Sequence, residues 1–409
     1  MTAKRANANV VTDAAALGQA GCLPLQSMNE KISAFLSERI AANDFPSAVY
    51  LVAEKGEIVY HHALGNAVAT PEVIPARLDT IYDLASLTKP LVTGLLTAIS
   101  IDDREDEFSL QSRAGDYFPI FKESAIADLK VWHLASHVSG LPAWLPLYLM
   151  AKSRVSVPEV VSRTERAFAT DSKVEYSDLN FIALSHIVEG LRVDQEYGYD
   201  VIDELALTRT TFNPLTEPWV GEFKRQEISG SEFGNGYEKQ TCIDKGYLQP
   251  PATAGSTDIN SAFRDYQIWG EVHDGNAYFM GGVAGHAGLF STAEEVFKIA
   301  LQFLPQYTSL LKPETCELFR TNFTKGMNED RSFAFQLAST EGSTAGTSMS
   351  PESFGHNGFT GTSLWIDPVN DRIFILLTNR THNHPLPFTN INSVRRRFHD
   401  IAIEELEKR

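Results

Sequence analysis

Segments typical of β-strands lie near the two ends of this 409-residue chain. Apolar runs at 47–53 and 57–60 predict a hairpin, and 356–367 with 371–379 predict two strands around a Pro-Val-Asn-Asp turn. From about 100 to 250 the pattern indicates short helices and loops instead. The sequence therefore predicts an α+β fold: one antiparallel sheet assembled from both ends of the chain and flanked by helices, with an all-helical lobe inserted between them.

The length of the chain exceeds one ordinary hydrophobic core, so two lobes are expected. We expect an N-terminal tail at 1–25, rich in Ala and Asn, followed by one folded domain at 26–409. Within that domain, the α/β lobe is predicted to combine about 26–100 with 285–409. The helical lobe is predicted to span about 101–284.

Three segments outside the middle of the chain predict helices. Residues 28–41 show helical spacing of apolar side chains, and 291–295 (Ser-Thr-Ala-Glu-Glu) is typical of a capping box at a helix start. Arg395-Arg396-Arg397 lies in an amphipathic C-terminal segment, where we expect these arginines to form salt bridges.

Composition disfavours several classes of function. The 35 Lys and Arg against 52 Asp and Glu give a formal net charge of −17 with no basic stripe, so the nucleic-acid backbone would be repelled. No window approaches the roughly 20 apolar residues of a membrane span, and the N-terminus lacks the apolar run of a signal peptide. Cys22, Cys242 and Cys316 form no close pair, which indicates free thiols. We therefore expect a cytoplasmic protein without nucleic-acid partners.

A serine and a lysine stand three residues apart at a predicted helix start. At that spacing Ser86 and Lys89 share one helix face. Helical spacing continues through Pro90, which a first turn tolerates because its missing N–H has no intrahelical partner there. The helix N-terminus would stabilise a developing alkoxide on Ser86, and a desolvated Lys89 of lowered pKa could take its proton. The alternative is a helix cap followed by a solvated lysine.

Two later segments contain further candidate site residues. Tyr176-Ser177-Asp178 marks the point where a polar loop gives way to an apolar helix, so the tyrosine is free to project into a cleft. His356-Asn357-Gly358 opens a late strand, where glycine permits close approach of a substrate backbone.

Together these motifs resemble those of the serine β-lactamase and penicillin-recognising family, specifically its class C-like branch. The matching elements are Ser-x-x-Lys at 86–89, Tyr-Ser-Asp about ninety residues later, and His-x-Gly on a late strand. Segments 132–142, 271–274 and 281–292 resemble further stretches of that branch, which also contains esterases and D-amino-acid-releasing peptidases. The resemblance implies a β-lactamase/transpeptidase-like fold with its active site in the cleft between the lobes.

The resemblance also implies a role for each motif residue. Ser86 would attack the substrate carbonyl and form an acyl-enzyme, while Lys89 and Tyr176 share the proton transfers. The oxyanion would lie between the backbone N–H groups of Ser86 and of Phe359, the residue after Gly358. Water would then release the acid, with neither a metal nor a cofactor.

Two motif residues depart from the pattern of true β-lactamases. His356 replaces a lysine that binds the carboxylate of the drug, and a neutral imidazole would hold a carboxylate less strongly. Its ring would instead orient the substrate or polarise Tyr176. Asp178 replaces an asparagine, and two interpretations stay open. It could be a counter-ion that keeps Lys89 charged and shifts the role of base toward Tyr176, or it could cap the following helix.

Three functions remain compatible with these residues. The first is hydrolysis of a small ester or amide, as in a carboxylesterase or D-aminopeptidase. The second is β-lactamase or D-alanyl-D-alanine carboxypeptidase activity, because the acylation machinery is shared. The third is a non-catalytic binding domain of the same fold, which the intact Ser86, Lys89 and Tyr176 disfavour. The expected partner is a small ester, amide or β-lactam; the sequence does not predict an oligomeric state.

Three other constellations favour structural roles. His133 and His137 have the spacing of metal ligands, but no glutamate follows the first histidine as in zinc hydrolases, so buried or capping histidines are expected. The glycines of 281–288 lack the lysine of a phosphate-binding loop and indicate a tight turn. His273-Asp274 could form half of a hydrolase triad, but Ser86 has nearer candidate bases.

Overall fold

The computed structural model describes residues 28–191, 198–216, 221–248 and 262–409. The predicted tail at 1–25, with Cys22, lies outside the described residues. The strands are β1 Ser47–Glu54, β2 Glu57–Val68, β3 Ile74–Pro75, β4 Tyr82–Asp83, β5 Thr211–Phe212, β6 Gly230–Phe233, β7 Gln267–Trp269, β8 Leu289–Ser291, β9 Gln336–Leu337, β10 Phe354–Asn357, β11 Ser363–Asp367 and β12 Arg372–Thr378. The helices are α1 Glu30–Ala41, α2 Leu95–Asp103, α3 Ala114–Tyr117, α4 Val131–Ala135, α5 Leu147–Met150, α6 Val157–Arg163, α7 Asp178–Leu191, α8 Gly236–Asp244, α9 Gly275–Phe279, α10 Ala293–Leu301 and α11 Asn392–Leu406. Within these ranges, no helix combines the length and apolar character that a membrane crossing requires.

Seven strands form one antiparallel sheet in the order β3-β2-β1-β12-β11-β10-β9. Strands from the two ends of the chain meet at its centre, where β1 pairs with β12 from Ala48 opposite Thr378 to Glu54 opposite Arg372. The prediction of one antiparallel sheet built from both ends of the chain is confirmed.

The central strands are buried on both faces, and their successive side chains alternate between two hydrophobic cores. Tyr50 and Val52 of β1 pack into one core with residues of α1 and α11. Val49, Leu51 and Ala53 pack into the other, with residues of α2, α7 and α10. Burial on both faces explains why β1 is a continuous apolar run rather than an alternating one.

The helices that cover the sheet begin close to where the sequence predicts. The helix predicted at 28–41 is α1, and α10 begins after Thr292, whose hydroxyl accepts from the Glu295 N–H at 3.3 Å. The reciprocal half of the predicted capping box does not form. The buried Glu295 carboxylate accepts instead from the N–H groups of Thr208 and Arg209, at 2.7 and 2.9 Å, because burial leaves it dependent on fixed tertiary donors.

The segment between the two ends contains α3 to α9, but it is not all-helical, and that part of the prediction is wrong. Strand β5 pairs with β8, and β6 pairs with β7. These inserted strands have only two to four residues, too few to show the period-2 pattern on which a strand prediction depends. Phe181 and Leu184 of α7 share one hydrophobic cluster with Leu95 of α2 and Val49 of the sheet, so the core continues across both parts.

Shortening Ile375 to alanine is expected to destabilise the protein by about 2–5 kcal/mol, because this β12 side chain is fully buried between the sheet and its helices. Urea unfolding measures the change. The control Val369→Ala removes a side chain that is 57% exposed in the turn before β12 and should change stability by less than about 0.5 kcal/mol. Equal destabilisation by both variants would contradict the described packing.

Candidate active site

The turn that carries Ser86 is held by a buried carboxylate. Ser86 lies in one 3-10 turn, Ala85–Leu87, directly after β4, and the chain then continues through a π-helical turn into α2. Asp83 accepts from the Ala85 N–H at 2.8 Å and from the His273 N–H at 2.7 Å. The predicted helix start is confirmed, although its first turns are 3-10 and π rather than α.

The Lys89 ammonium lies at the centre of the site and is fully buried. Its Nζ donates to Ser86 Oγ at 3.0 Å and to the His286 carbonyl at 3.1 Å, and it pairs with Asp178 Oδ1 at 2.7 Å. These three acceptors satisfy all three protons of the ammonium. Of the two interpretations of Asp178, the counter-ion is the one that this geometry supports.

The pKa of Lys89 is raised, whereas desolvation of the side chain alone would lower it. Burial acts in that direction, but the Asp178 carboxylate, followed by Tyr176, offsets it and raises the pKa of Lys89 to about 12. The amine is therefore protonated at neutral pH and donates to Ser86 Oγ rather than accepting from it. The lowered pKa expected from desolvation alone is therefore wrong, and the alternative in which Asp178 keeps Lys89 charged agrees with the structure.

Tyr176 lies in the loop directly before α7, as predicted; its buried hydroxyl makes no aligned hydrogen bond among the described residues, although Lys89 and Ser86 lie beside it and act on its pKa. Its ring packs against His137 at 4.6 Å between centroids, and Lys89 Nζ lies 5.0 Å from its centroid. Burial raises the pKa of the Tyr176 hydroxyl, although the Lys89 charge opposes this effect. The phenol is thus neutral and available to a ligand.

His356 is a neutral, buried side chain at the inner edge of the cavity. Its Nδ1 donates to the Asn357 carbonyl at 3.0 Å, which leaves Nε2 as an acceptor without a partner among the described residues. Burial, followed by the charges of Lys89 and Arg331, holds the pKa of His356 well below its ordinary value. Its ring lies 5.7 Å from that of Tyr176. The predicted neutral ring at this position is consistent with this environment.

The loop after His356 is bonded to the turn that carries the nucleophile. Thr360 and Thr362 donate their hydroxyls to the carbonyls of Asp83 and Leu84, at 2.7 and 3.0 Å. Gly358 fits between them because a Cβ there would lie 2.6 Å from the Leu84 carbonyl oxygen. Gly358 therefore approaches the turn that carries Ser86, rather than a substrate backbone as predicted. This contact sets the distance between the two N–H groups that are proposed to bind the oxyanion.

Three arginines that the motifs did not indicate line the same cavity, of about 550 Å³, as Ser86 and Tyr176. Arg331 pairs with a glutamate at 2.7 Å. Arg380 and Arg395 have no ion-pair partner in the part of the chain that the structure describes, and their guanidinium groups bond to carbonyl and amide oxygens. Cationic groups without a counter-ion at a cavity wall favour an anionic ligand.

Arg395 corrects the expectation that the C-terminal arginines form salt bridges. Arg397 does pair with Glu404 at 3.1 Å, whereas the buried Arg395 donates to the carbonyls of Gly358 and Thr362 at 2.9 and 3.0 Å. Burial, followed by the neighbouring Arg380, lowers the pKa of Arg395 to about 9. The sequence does not distinguish the two because both lie in one polar stretch of α11.

The three constellations expected to be structural make contacts within the protein, although His273 and Asp274 also line the cavity. His133 caps α4, accepting from the Lys130 N–H at 3.1 Å, and His137 is buried behind Tyr176. His273 pairs with Glu232 at 2.7 Å rather than forming half of a triad with its neighbour Asp274. Segment 281–288 is a turn with three glycines at positive φ, leading into β8.

One group of side chains in the site has the donor atoms of a metal centre. Asp178, Asp274 and His286 each offer a ligand atom, all within 4.8 Å of one another. Asp178 already binds the Lys89 ammonium, and Asp274 pairs with His286 Nε2 at 3.0 Å. These donors therefore have protein partners, and a mechanism without metal or cofactor stays a prediction.

Comparison with known proteins assigns the family. Residues 32–395 match the Beta-lactamase family model. The chain belongs to the beta-lactamase family. The match includes all three motifs, so the resemblance inferred from them is confirmed.

The proteins and solved structures that resemble this chain have different names. A protein of Escherichia coli K12 named "Putative D-alanyl-D-alanine carboxypeptidase" is 30% identical over 367 residues, which cover 83% of this chain and 79% of that protein. The solved structure of EstCE1, described as a hydrolase with promiscuous acyltransferase activity, superposes with a TM-score of 0.65 at 17% identity, covering 91% of this chain and 97% of that one. A class C beta lactamase superposes with a TM-score of 0.63 at 15% identity, covering 92% and 97%. The β-lactamase/transpeptidase-like fold is thereby confirmed.

Replacing Asp178 with asparagine should let burial dominate, so the pKa of Lys89 falls below its ordinary 10.5. In this variant, the rate at which a fluorophosphonate labels Ser86 should increase with pH between about pH 6 and about pH 10, because Lys89 loses its proton in that range. The parent protein should show no such increase. The variant should also lose about 3–5 kcal/mol of stability, because it breaks a buried ion pair.

The exposed Asp116→Asn on α3 is the matched control and should change neither property. Identical pH profiles for Asp178→Asn and the parent would show that Asp178 does not set the charge of Lys89.

Proposed function

We propose that this protein is a serine hydrolase that forms an acyl-enzyme at Ser86. The observation that carries the proposal is the contact of 3.0 Å between the Nζ atom of the buried Lys89 and Ser86 Oγ, with Asp178 paired to the same ammonium. Such a cation stabilises negative charge as it develops on the serine oxygen. A purely structural lysine would not require a serine and a carboxylate, both partly exposed to a cavity, arranged around its buried ammonium.

The protonation states define the proton path. Lys89 keeps its proton and holds the Ser86 oxygen by a hydrogen bond. As Ser86 attacks the carbonyl carbon, the neutral Tyr176 hydroxyl takes the Ser86 proton and passes its own to the leaving group, so no net charge appears on the phenol. Water then attacks the acyl-enzyme: Tyr176 takes one proton from the water and passes its own to Ser86 Oγ as the ester bond breaks, which releases the acid. The roles of the Ser86 and Phe359 N–H groups in binding the oxyanion belong to the same proposal.

The substrate proposed is a small amide or ester with a free carboxylate, such as a peptide that ends in a D-amino acid, or a β-lactam. The supporting observation is the set of cavity-lining arginines, of which Arg380 and Arg395 have no described carboxylate partner. The relative named as a carboxypeptidase is consistent with this class. The arginines provide the positive charge that His356 does not.

A neutral ester is the second candidate. His356, at the position where β-lactamases carry a lysine, has no charge, and its unpartnered Nε2 accepts rather than donates. An uncharged acyl donor would be compatible with that edge of the cavity. A non-catalytic binding domain is disfavoured, because Ser86, Lys89 and Tyr176 are brought together in one cavity wall.

We also infer a reducing, cytoplasmic environment. Cys242 and Cys316 are both buried free thiols. Burial raises the pKa of each, so their thiolate fraction and reactivity are low.

Ser86→Ala is expected to abolish both covalent labelling by a fluorophosphonate and hydrolysis of a p-nitrophenyl ester. Stability should change by less than about 1 kcal/mol, because one small hydroxyl is removed. Intact-mass and peptide analysis locate the label. The exposed Ser172→Ala should label like the parent; turnover in Ser86→Ala at the parent rate would refute the acyl-enzyme.

Arg380→Gln tests the class of substrate. If Arg380 binds a carboxylate, kcat/KM for a chromogenic cephalosporin should fall about ten- to a hundredfold relative to a neutral p-nitrophenyl ester, the effect of one charge-assisted hydrogen bond. Arg397→Gln, on the exposed side of α11, is the control and should leave the ratio unchanged. An unaltered ratio in Arg380→Gln would instead support the neutral ester.

A further inference from the structure

One wall of the cavity is formed by a helix that the motifs did not indicate. Tyr237, Glu238 and Thr241 of α8, with Lys245 just after it, line the cavity at positions that share one helix face. Trp144 lines the same wall, with Lys245 Nζ 5.7 Å from its ring centroid. Two aromatic rings and a carboxyl group therefore face the space in which a substrate would lie.

Glu238 differs from the other acidic side chains that line this cavity. Asp178 pairs with Lys89, and Asp274 pairs with His286. Glu238 has no lysine, arginine or histidine within ion-pair distance in the described ranges, although it is only 7% exposed. A buried carboxylate without an ion-pair partner is unfavourable, so such a group either takes up a proton or gains a ligand that supplies positive charge; His273 and Arg264 offset the cost only in part.

The hydrogen bonds of Glu238 are also incomplete. Oε1 accepts from the Gly275 N–H at 2.7 Å, whereas Oε2 is buried and has no hydrogen-bond partner among the described residues. Tyr148 lies beside it: its hydroxyl contacts Cys242 Sγ at 3.4 Å, and burial, followed by the Glu238 carboxyl, raises its pKa, but it makes no aligned hydrogen bond to Oε2. Gly275 makes room for the carboxyl, since a Cβ there would lie 2.1 Å from Oε2. The carboxyl is thus fixed in place with one oxygen unused.

We propose that Glu238 binds a protonated amine on the acyl part of the substrate, which makes α8 a specificity wall for amine-bearing D-peptides. This inference rests on the proposed hydrolase function of Ser86. Trp144 and Tyr237 line the same wall, but Lys245 Nζ already lies over the Trp144 ring and Tyr237 packs against Phe359, so the Glu238 carboxyl is the group that would bind the amine. With the arginines elsewhere in the cavity, the site would match a zwitterionic peptide.

The protonation of Glu238 is consistent with this role. Burial, followed by the neighbouring Asp274, raises the pKa of Glu238 to about 7. An ammonium group beside it would favour the ionised form and offset both effects. The ligand would provide the interaction that Asp178 and Asp274 obtain from Lys89 and His286.

The test measures the peptide concentration that protects Ser86 from labelling by a fluorophosphonate. Protection requires only that the peptide binds, not that it is hydrolysed. Two pairs differ by one acetyl group: D-alanyl-D-alanine with its N-acetyl form, and Nα-acetyl-L-lysyl-D-alanyl-D-alanine with its Nε-acetyl form. In the parent protein, the amine-bearing member of at least one pair should protect at a concentration about ten- to a hundredfold lower. Glu238→Gln, which keeps the acceptor for the Gly275 N–H, should remove that preference.

The exposed Glu341→Gln is the matched control and should retain the preference of the parent. Labelling of Glu238→Gln without peptide shows that the variant is folded. The inference is wrong if Ser86 is labelled but the parent shows no preference for the amine, or if Glu238→Gln keeps it. Absence of labelling in the parent would instead remove the hydrolase proposal on which the inference rests.

Discussion

The buried ion pair between Lys89 and Asp178 determines how the parts of this protein meet. Lys89 follows the nucleophile turn, Asp178 begins α7 in the middle of the chain, and the third acceptor is the carbonyl of His286, 197 residues from Lys89. An ammonium left in this interior without its carboxylate would destabilise the protein by several kcal/mol. The charge on Lys89 therefore fixes α7 and the segment before β8 against the turn that holds Ser86, and the cavity exists because these segments converge there.

The sheet could be predicted from the sequence because its central strands are buried on both faces. β1 and β12 are runs of seven or eight residues with almost no polar interruption, a pattern typical of strands that are buried on both faces. The inserted strands β5, β6 and β7 could not be predicted, since two to four residues carry no readable period. Their pairing depends on the positions of β8 and of the neighbouring loops in the folded protein, which local sequence does not determine.

The candidate site also has a part that the sequence predicts and a part that it does not. Ser86, Lys89 and Tyr176 were predicted because each lies beside a helix start, where local sequence restricts the backbone. The direction of the Lys89 pKa stayed open in the sequence, because it depends on whether Asp178, about ninety positions away, reaches the ammonium. Arg380, on the loop after β12, resembles an ordinary polar surface residue in the sequence. Only the folded chain shows that it faces the cavity.

The residues proposed for catalysis and those proposed for substrate recognition come from different parts of the chain. The atoms proposed to make and break bonds come from three short motifs. The groups proposed to recognise the substrate come from α8, α11 and the loop after β12, which have no common sequence signature. A substitution at Glu238 or Arg380 could therefore change the preferred substrate while leaving Ser86, Lys89 and Tyr176 in place. Shared motifs thus predict the class of reaction, whereas the substrate is decided by charges on walls that only the fold brings together.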